Sequence, residues 1–324
     1  METVNIDNQQ TGQLELIEDT SSDEFMQANT KSVKLQSLEE KCIIPVFTKD
    51  NESTISHQEF INATQEVANH IFRNERVLKP AVRVSHPQKG RIPEAVGKPV
   101  DQLQEHEKTL YYERMAFLIE IPTISDYVGG NSLSLTIGGV RAYNQMNLHS
   151  RKAEERFKVF IGFKNWVCIN LCISTDGFAA DVRVRSVHEL LEAIYKLLSN
   201  FDAYRASKSL NSLDNYSLSE KQFAQLIGRA RMYNHLPSSG RKEIHPLYLG
   251  DSQVNTVVKQ YYKDKNFGSA ATGEIGLWNL FNLFTGANKS SYIDSFLDKN
   301  VNALEFSLQI RDALENRSSF WYLS

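Results

Sequence analysis

The sequence predicts an α+β fold: a mainly antiparallel sheet domain followed by a helical C-terminal region. Three observations carry this. Apolar residues alternate with a period of two through most of residues 80 to 185, the period becomes helical from Ser186 onward, and Gly-containing turn signals separate the alternating runs. The chain has 324 residues, 41% of them hydrophobic, which is enough to bury a large core without disulfides or a metal.

The elements follow in order. Residues 1–40 are rich in Gln, Asn, Ser, Thr and carboxylates without sustained periodicity, and read as a disordered or loosely docked acidic arm. Cys42-Ile43-Ile44-Pro45-Val46-Phe47 reads as a short edge strand, because Pro45 cannot donate to a ladder. Ser56-His57-Gln58-Glu59 has the spacing of a capping box and opens a helix carrying Phe60, Ile61, Val67, Ile71 and Phe72. Strands are expected at Ala81–Ser85, Leu110–Ile121, Ser132–Tyr143, Arg156–Phe163, Trp166–Ile173 and Phe178–Arg185. Gly129-Gly130 reads as a turn, Gly138-Gly139 as a bulge, and Lys164-Asn165 and Ser174-Thr175-Asp176-Gly177 as further turns. Pro87 to Pro99, with Lys89, Arg91 and Lys98, reads as an exposed basic loop. The sheet domain spans 41–186 and the helical region 187–324, packed on or beside it. Capping signals at Ser186 and Ser217 and an Asp251 cap open three helices, and two or three more follow Gly273.

Charge and composition narrow the function. Net charge is −3, but residues 1–70 carry −9 and the remainder +6, so a mildly basic body sits under an acidic head. That asymmetry suits either nucleic-acid binding or a solvated tail. The N-terminus has no basic region or apolar stretch of a signal peptide, and no apolar run is long enough to span a bilayer. With three unpatterned cysteines, Cys42, Cys168 and Cys172, the chain reads as a reduced cytoplasmic protein with no membrane partner.

Motifs for chemistry are sparse. Cys168 and Cys172 on one strand would stand about 13 Å apart, too far to share a zinc ion, and His149 offers no better set. Gly286-Ala287-Asn288-Lys289-Ser290 has Asn288 where a phosphate loop needs glycine, and reads as a corner between helices. There is no Gly-x-Ser-x-Gly elbow and no His-Glu-x-x-His. A carboxylate cluster assembled only in space stays open. No cofactor or metal is expected, and no catalytic residue is assigned. Leu277, Trp278, Leu280, Phe281 and Phe284 read as core.

The informative feature is the strand faces. If Phe157, Val159, Ile161 and Phe163 face the core, then Arg156, Lys158, Phe160 and Lys164 face the other way. The same alternation turns Trp166, Arg183, Arg185, Tyr112 and Arg114 outward. Cations interleaved with aromatic rings are what single-stranded nucleic acid requires, since the cations attract phosphates and the rings stack bases. The alternatives are a solvated face, or one covered by the C-terminal helices.

At these strands the chain resembles a bacterial family, domain of unknown function 3871, over essentially its whole length. The resemblance rests on Arg91-Ile92-Pro93-Glu94-Ala95, on Leu103 to Arg114, on Phe157-Lys158-Val159-Phe160-Ile161-Gly162-Phe163, on Val167 to Gly177, and on Thr285 to Tyr292. It is also similar, at Asn147-Leu148-His149-Ser150 and from Gly162 to Asn170, to a broader phage/plasmid-like family, with Leu171 where that family places glycine. The resemblance implies a setting in integrated and conjugative elements of gut bacteria and transfers no catalytic residue. The resulting expectation is a non-enzymatic nucleic-acid-binding accessory protein of a mobile element, acting on single strands. The alternatives are a factor binding a host defence or replication protein, and an enzyme whose site assembles only in space.

Overall fold

The computed structural model describes residues 24–42, 54–95, 97–143, 154–269 and 271–324. The fold is α+β. A seven-stranded antiparallel sheet runs β1 (Lys31–Val33), β2 (Ala81–Val84), β5 (Arg114–Val128), β6 (Asn131–Ala142) and β7 (Glu155–Asn165). Both β8 (Leu171–Cys172) and β9 (Phe178–Val184) then pair with β7. A separate hairpin joins β3 (Pro87–Arg91) to β4 (Lys108–Tyr112), so the expected basic loop is in part a strand pair. A third small sheet pairs β10 (Ser217–Ser219) with β11 (Glu274–Gly276). The helices are α1 (Leu35–Lys41), α2 (His57–Ile71), α3 (Val187–Asn200), α4 (Ala203–Leu213), α5 (Glu220–His235), α6 (Ser238–Arg241), α7 (Asp251–Lys263), α8 (Leu277–Asn288) and α9 (Ile293–Glu315).

Local chemistry fixes several of these. Ser56 and Glu59 close a reciprocal capping box that starts α2. Gly129 and Gly130, both at positive φ (53° and 81°), make the two-residue turn between β5 and β6, a backbone that side chains disfavour. Trp278 then lies so close to Gly129 that a Cβ there would come within 2.2 Å of its ring. Pro122 falls inside β5, where the register shifts between Ile121 and Ser125, so a strand expected to end at Ile121 bulges and continues.

Gly138 and Gly139 do not form the expected bulge, for their register is continuous on both sides. They are small because rings press on both faces of β6. A Cβ at Gly138 would meet the Phe160 ring at 2.7 Å, and one at Gly139 the Phe60 ring at 2.4 Å.

Both faces of the sheet are buried. On one face Phe117, Ile137, Phe157, Val159 and Ile161 join a large cluster with α2, α3, α4 and α8. Phe60 of α2 sets its ring edge against Phe117 and Phe157, with centroids 5.0 and 4.7 Å apart. On the other face Ala116, Leu118, Val140, Phe160, Leu171 and Ile173 pack against Phe296, Leu297 and Val301 of α9, and against Phe25 and Met26. One continuous cluster unites strands and helices, so the region after 187 shares the sheet's core instead of forming its own.

Three expectations are corrected here. Residues 24–40 are not a free arm: Phe25 and Met26 are buried, β1 extends the sheet, and Leu38 of α1 is buried. Residues 1–23 lie outside the described residues, as does the proposed edge strand beyond Cys42. The strand expected at Trp166–Ile173 shrinks to Leu171–Cys172. Asn165 remains in β7, and the turn expected at Lys164-Asn165 runs instead through residues 166–170.

Candidate nucleic-acid interface

The alternation of β5, β7 and β9 is as expected, but the second face of the sheet is not free. Phe160 is 2% exposed and belongs to the cluster under α9. Lys164 is buried in an ion pair with Glu120 on β5. Lys158 reaches up to α9, donating to the Asp294 carbonyl at 2.7 Å and to Asp298 Oδ2 at 2.5 Å. Arg114 is partly covered, with Nε 4.0 Å from Asp294 Oδ2 and its guanidinium 6.0 Å from the Tyr292 ring centre. Trp166 is exposed, but it stands in the loop after β7, at the opposite end of that strand from Arg156. Ten residues of strand separate the two by roughly 33 Å. The nine residues expected on this face therefore do not form one surface, and Tyr112 belongs to the separate β3–β4 pair and packs against the main core. Phe160 and Lys164 are corrected to interior positions, and Trp166 to a separate site.

What survives is a cationic row at one end of the sheet. Arg114 stands opposite Ala142 across the β5–β6 ladder, and Arg156 stands opposite Arg183 across the β7–β9 ladder. All four lie on the face that α9 covers farther along. With strands about 4.8 Å apart, the row spans about 14 Å. Arg185 follows two residues after Arg183. The side chains of Arg156, Arg183 and Arg185 are 45%, 55% and 67% exposed.

Between the arginines lies a small hollow of about 20 Å³, lined by Val140, Ala142, Arg156, Lys158, Ala180 and Asp181. The small Ala142 side chain leaves this gap. The first turn of α9 stands beside it through Lys158, and Tyr292, 69% exposed, adds a solvent-facing ring next to Arg114.

Like charges directly opposite on a ladder repel. Asp181 relieves this by accepting from Arg156 Nε at 2.7 Å and from Arg183 Nε at 2.8 Å. Those two hydrogen bonds, Arg156 first, hold the Asp181 carboxyl below its usual range, and Asp181 in return raises Arg183. Arg185 pairs with Glu154 at 3.3 Å.

Exposed pairs of this kind are worth about 0–1 kcal/mol, so a phosphate can displace the carboxylate at little cost. Tyr292 was not legible from strand alternation. A signal did exist, because α9 carries Phe296 and Val301 on one side and Leu304, Phe306 and Ile310 on others, and such a helix must be covered from more than one direction.

The cysteines also sit differently from expectation. Cys168 lies in the 166–170 loop, so the strand-rise argument does not apply to it, while Cys172 is buried in β8. Burial pushes the Cys168 thiol up to about 11. Among the described residues no group of three His, Cys, Asp or Glu is placed to hold a metal ion. His149, and the Asn147–Ser150 segment with it, lies outside the described residues.

An antiparallel sheet covered on both faces, with an open arginine row at one end, defines an α+β protein with a candidate anion-binding edge. The chain belongs to the family described as "Domain of unknown function, B. Theta Gene description (DUF3871)", whose model matches residues 13–323. No curated protein and no solved structure matches it.

Proposed function

We propose that this protein is a non-enzymatic nucleic-acid-binding accessory protein of a mobile genetic element, acting in the cytoplasm. The observation that carries the reading is the row of Arg114, Arg156 and Arg183 on one face of β5, β7 and β9, with Ala142 of β6 between Arg114 and Arg156, open at the sheet end and flanked by Arg185. Its cations stand at spacings a phosphate backbone can follow, and Tyr292 supplies a ring on which a base can stack. The mobile-element setting rests on the family resemblance. No helix among the described residues is long and apolar enough to cross a membrane, which agrees with this reading.

The test is binding of the full chain to fluorescent single-stranded and duplex oligonucleotides across a salt series. Affinity should fall steeply with salt, and Arg156→Ala with Arg183→Ala should lower the slope for a single strand by about 1.4, at about 0.7 per phosphate contact. Absence of salt-dependent binding to either form overturns the reading.

A further inference from the structure

We propose a second phosphate-binding surface, formed by α5 and α7, whose contacts are Lys221, Lys259 and Lys263 with Tyr262 as a stacking ring. The inference rests on the nucleic-acid reading above but uses none of the residues of the arginine row.

The surface follows from how α7 is amphipathic. Gln253, Val254, Val257 and Tyr261 are buried. At three- and four-residue intervals on the opposite side stand Ser252, Asn255, Lys259, Tyr262 and Lys263, all exposed. The helix has no carboxylate after its first residue, Asp251.

Two contacts, one at each end, set α5 antiparallel beside it. His235 approaches Asp251 at 3.1 Å, and Tyr262 donates to Glu220 at 3.5 Å, while the Phe223 and Tyr261 rings stack at 4.5 Å between them. Lys221, exposed, follows Glu220 at the end of α5 that meets the last turn of α7. The exposed flank of α5 beyond Lys221 carries only Ala224 and Gly228 before Arg231, and a Cβ at Gly228 would meet nothing within 4 Å. The face is smooth, so an extended chain can lie across it.

Local stability does not account for these lysines. Lys259 and Lys263 are like charges at i and i+4, which costs a helix a few tenths of a kcal/mol. Lys263 alone gains from the helix C-terminus. Among the described residues no ion pair engages Lys221, Lys259 or Lys263, in contrast to Arg156, Arg183 and Arg185. The nearby Asp264 is committed to capping the backbone of Asn266 and Phe267, at 2.8 and 2.9 Å. The lysines therefore stand without ion-pair partners among the described residues, around a ring that is 61% exposed and whose hydroxyl donates to the carboxylate of Glu220 on this surface. That is the composition a single-strand backbone with splayed bases selects. Two antiparallel helices side by side are about 20 Å wide, too wide to enter a major groove of about 12 Å, so the contact is to backbone and unstacked bases and not to a duplex groove.

The test compares three variants of the full chain by fluorescence anisotropy with a mixed-sequence single-stranded DNA over a salt series. Lys259→Ala with Lys263→Ala should lower the salt slope by about 1.4. Tyr262→Ala should weaken binding about fivefold or more at every salt concentration. The control removes the same charge elsewhere, at the exposed Lys196 and Lys208. It should leave the slope unchanged. All sites are on the surface, and equal melting temperatures will confirm folding. If the wild type binds and the α7 variants match it, or if the control falls equally, this surface is refuted while the arginine row stands or falls by its own variant. If the wild type binds no nucleic acid, both are refuted.

Discussion

His57 shows how much one residue can depend on its surroundings. It is buried at the start of α2, its Nε2 lies 2.8 Å from the Tyr112 carbonyl, and its ring packs tilted against Tyr143 with centroids 4.6 Å apart. A carbonyl only accepts, so Nε2 carries the proton and donates, leaving Nδ1 as a bare acceptor. Burial, and then the nearby Arg141 charge, lower its pKa from 6.5 to about 3. The sign is therefore that of a histidine held neutral. Between pH 6.5 and 3 the unfolded chain binds a proton that the folded one does not, so stability is complete above pH 6.5 and falls on acidification. The loss from this residue approaches about 1.4 kcal/mol per pH unit in that window. Urea unfolding at a series of pH values should show it, and His57→Gln should flatten that part of the profile. Arg141 and Glu155 form a buried ion pair that also holds the backbone of Ile55, with Glu155 accepting from Ile55 N at 3.1 Å. Glu155→Leu alone should destabilise by about 3–5 kcal/mol, and adding Arg141→Leu should recover part of this, because the single change strands a buried charge.

At the scale of elements, the packing of rings on β6 decides what the glycines tolerate. Gly139→Ala drives a Cβ to 2.4 Å from the Phe60 ring and 2.7 Å from the Lys158 carbonyl, and should cost about 1–3 kcal/mol in chemical denaturation. Gly130→Ala meets no atom and costs only its backbone strain at φ 81°. A period-two reading located β5, β6, β7 and β9, because alternation is set by the pleat itself. It misread the 166–170 loop, where the ladder breaks for reasons outside local pattern. Ile169 sits at φ 56°, rare for a β-branched residue, and Asn165 and Asn170 bond the α8 residue Asn282 at 3.1 and 2.9 Å. Such long-range bonds leave no trace in alternation. The capping signals at Ser56 and Ser186 were legible because each lies within four residues, although at Ser186 only the hydroxyl half of the box forms and Glu189 accepts from Arg185 N instead.

At the scale of the whole molecule, the N-terminal segment and α9 together close the second face of the sheet. Phe25 and Met26 are 2% and 1% exposed there, and β1 adds its ladder. Burying such side chains contributes about 1.5–3 kcal/mol each. A chain beginning at residue 35 should therefore melt well below one beginning at residue 24, as differential scanning calorimetry would show. A polar composition made residues 24–34 look dispensable, since two apolar side chains hardly register in an average. The same closure explains why Lys158 and Phe160, expected to bind, are covered. Alternation assigned the faces of β5, β7 and β9 but inverted them at residues 171–173, where Cys172 joins the Phe157 face and Leu171 and Ile173 the Phe160 face, and what lies over a face depends on a helix more than 130 residues away in sequence, as the Lys158–Asp298 pair shows.

The central claim is that the cations left open at the end of the sheet bind a nucleic-acid backbone. The most direct measurement is the salt dependence of full-chain binding to a single-stranded oligonucleotide, for the wild type and for Arg156→Ala with Arg183→Ala. The account predicts salt-sensitive binding with the slope reduced by about 1.4 in the variant. Undetectable binding by the wild type at low salt, or a variant slope equal to the wild-type slope, would contradict it.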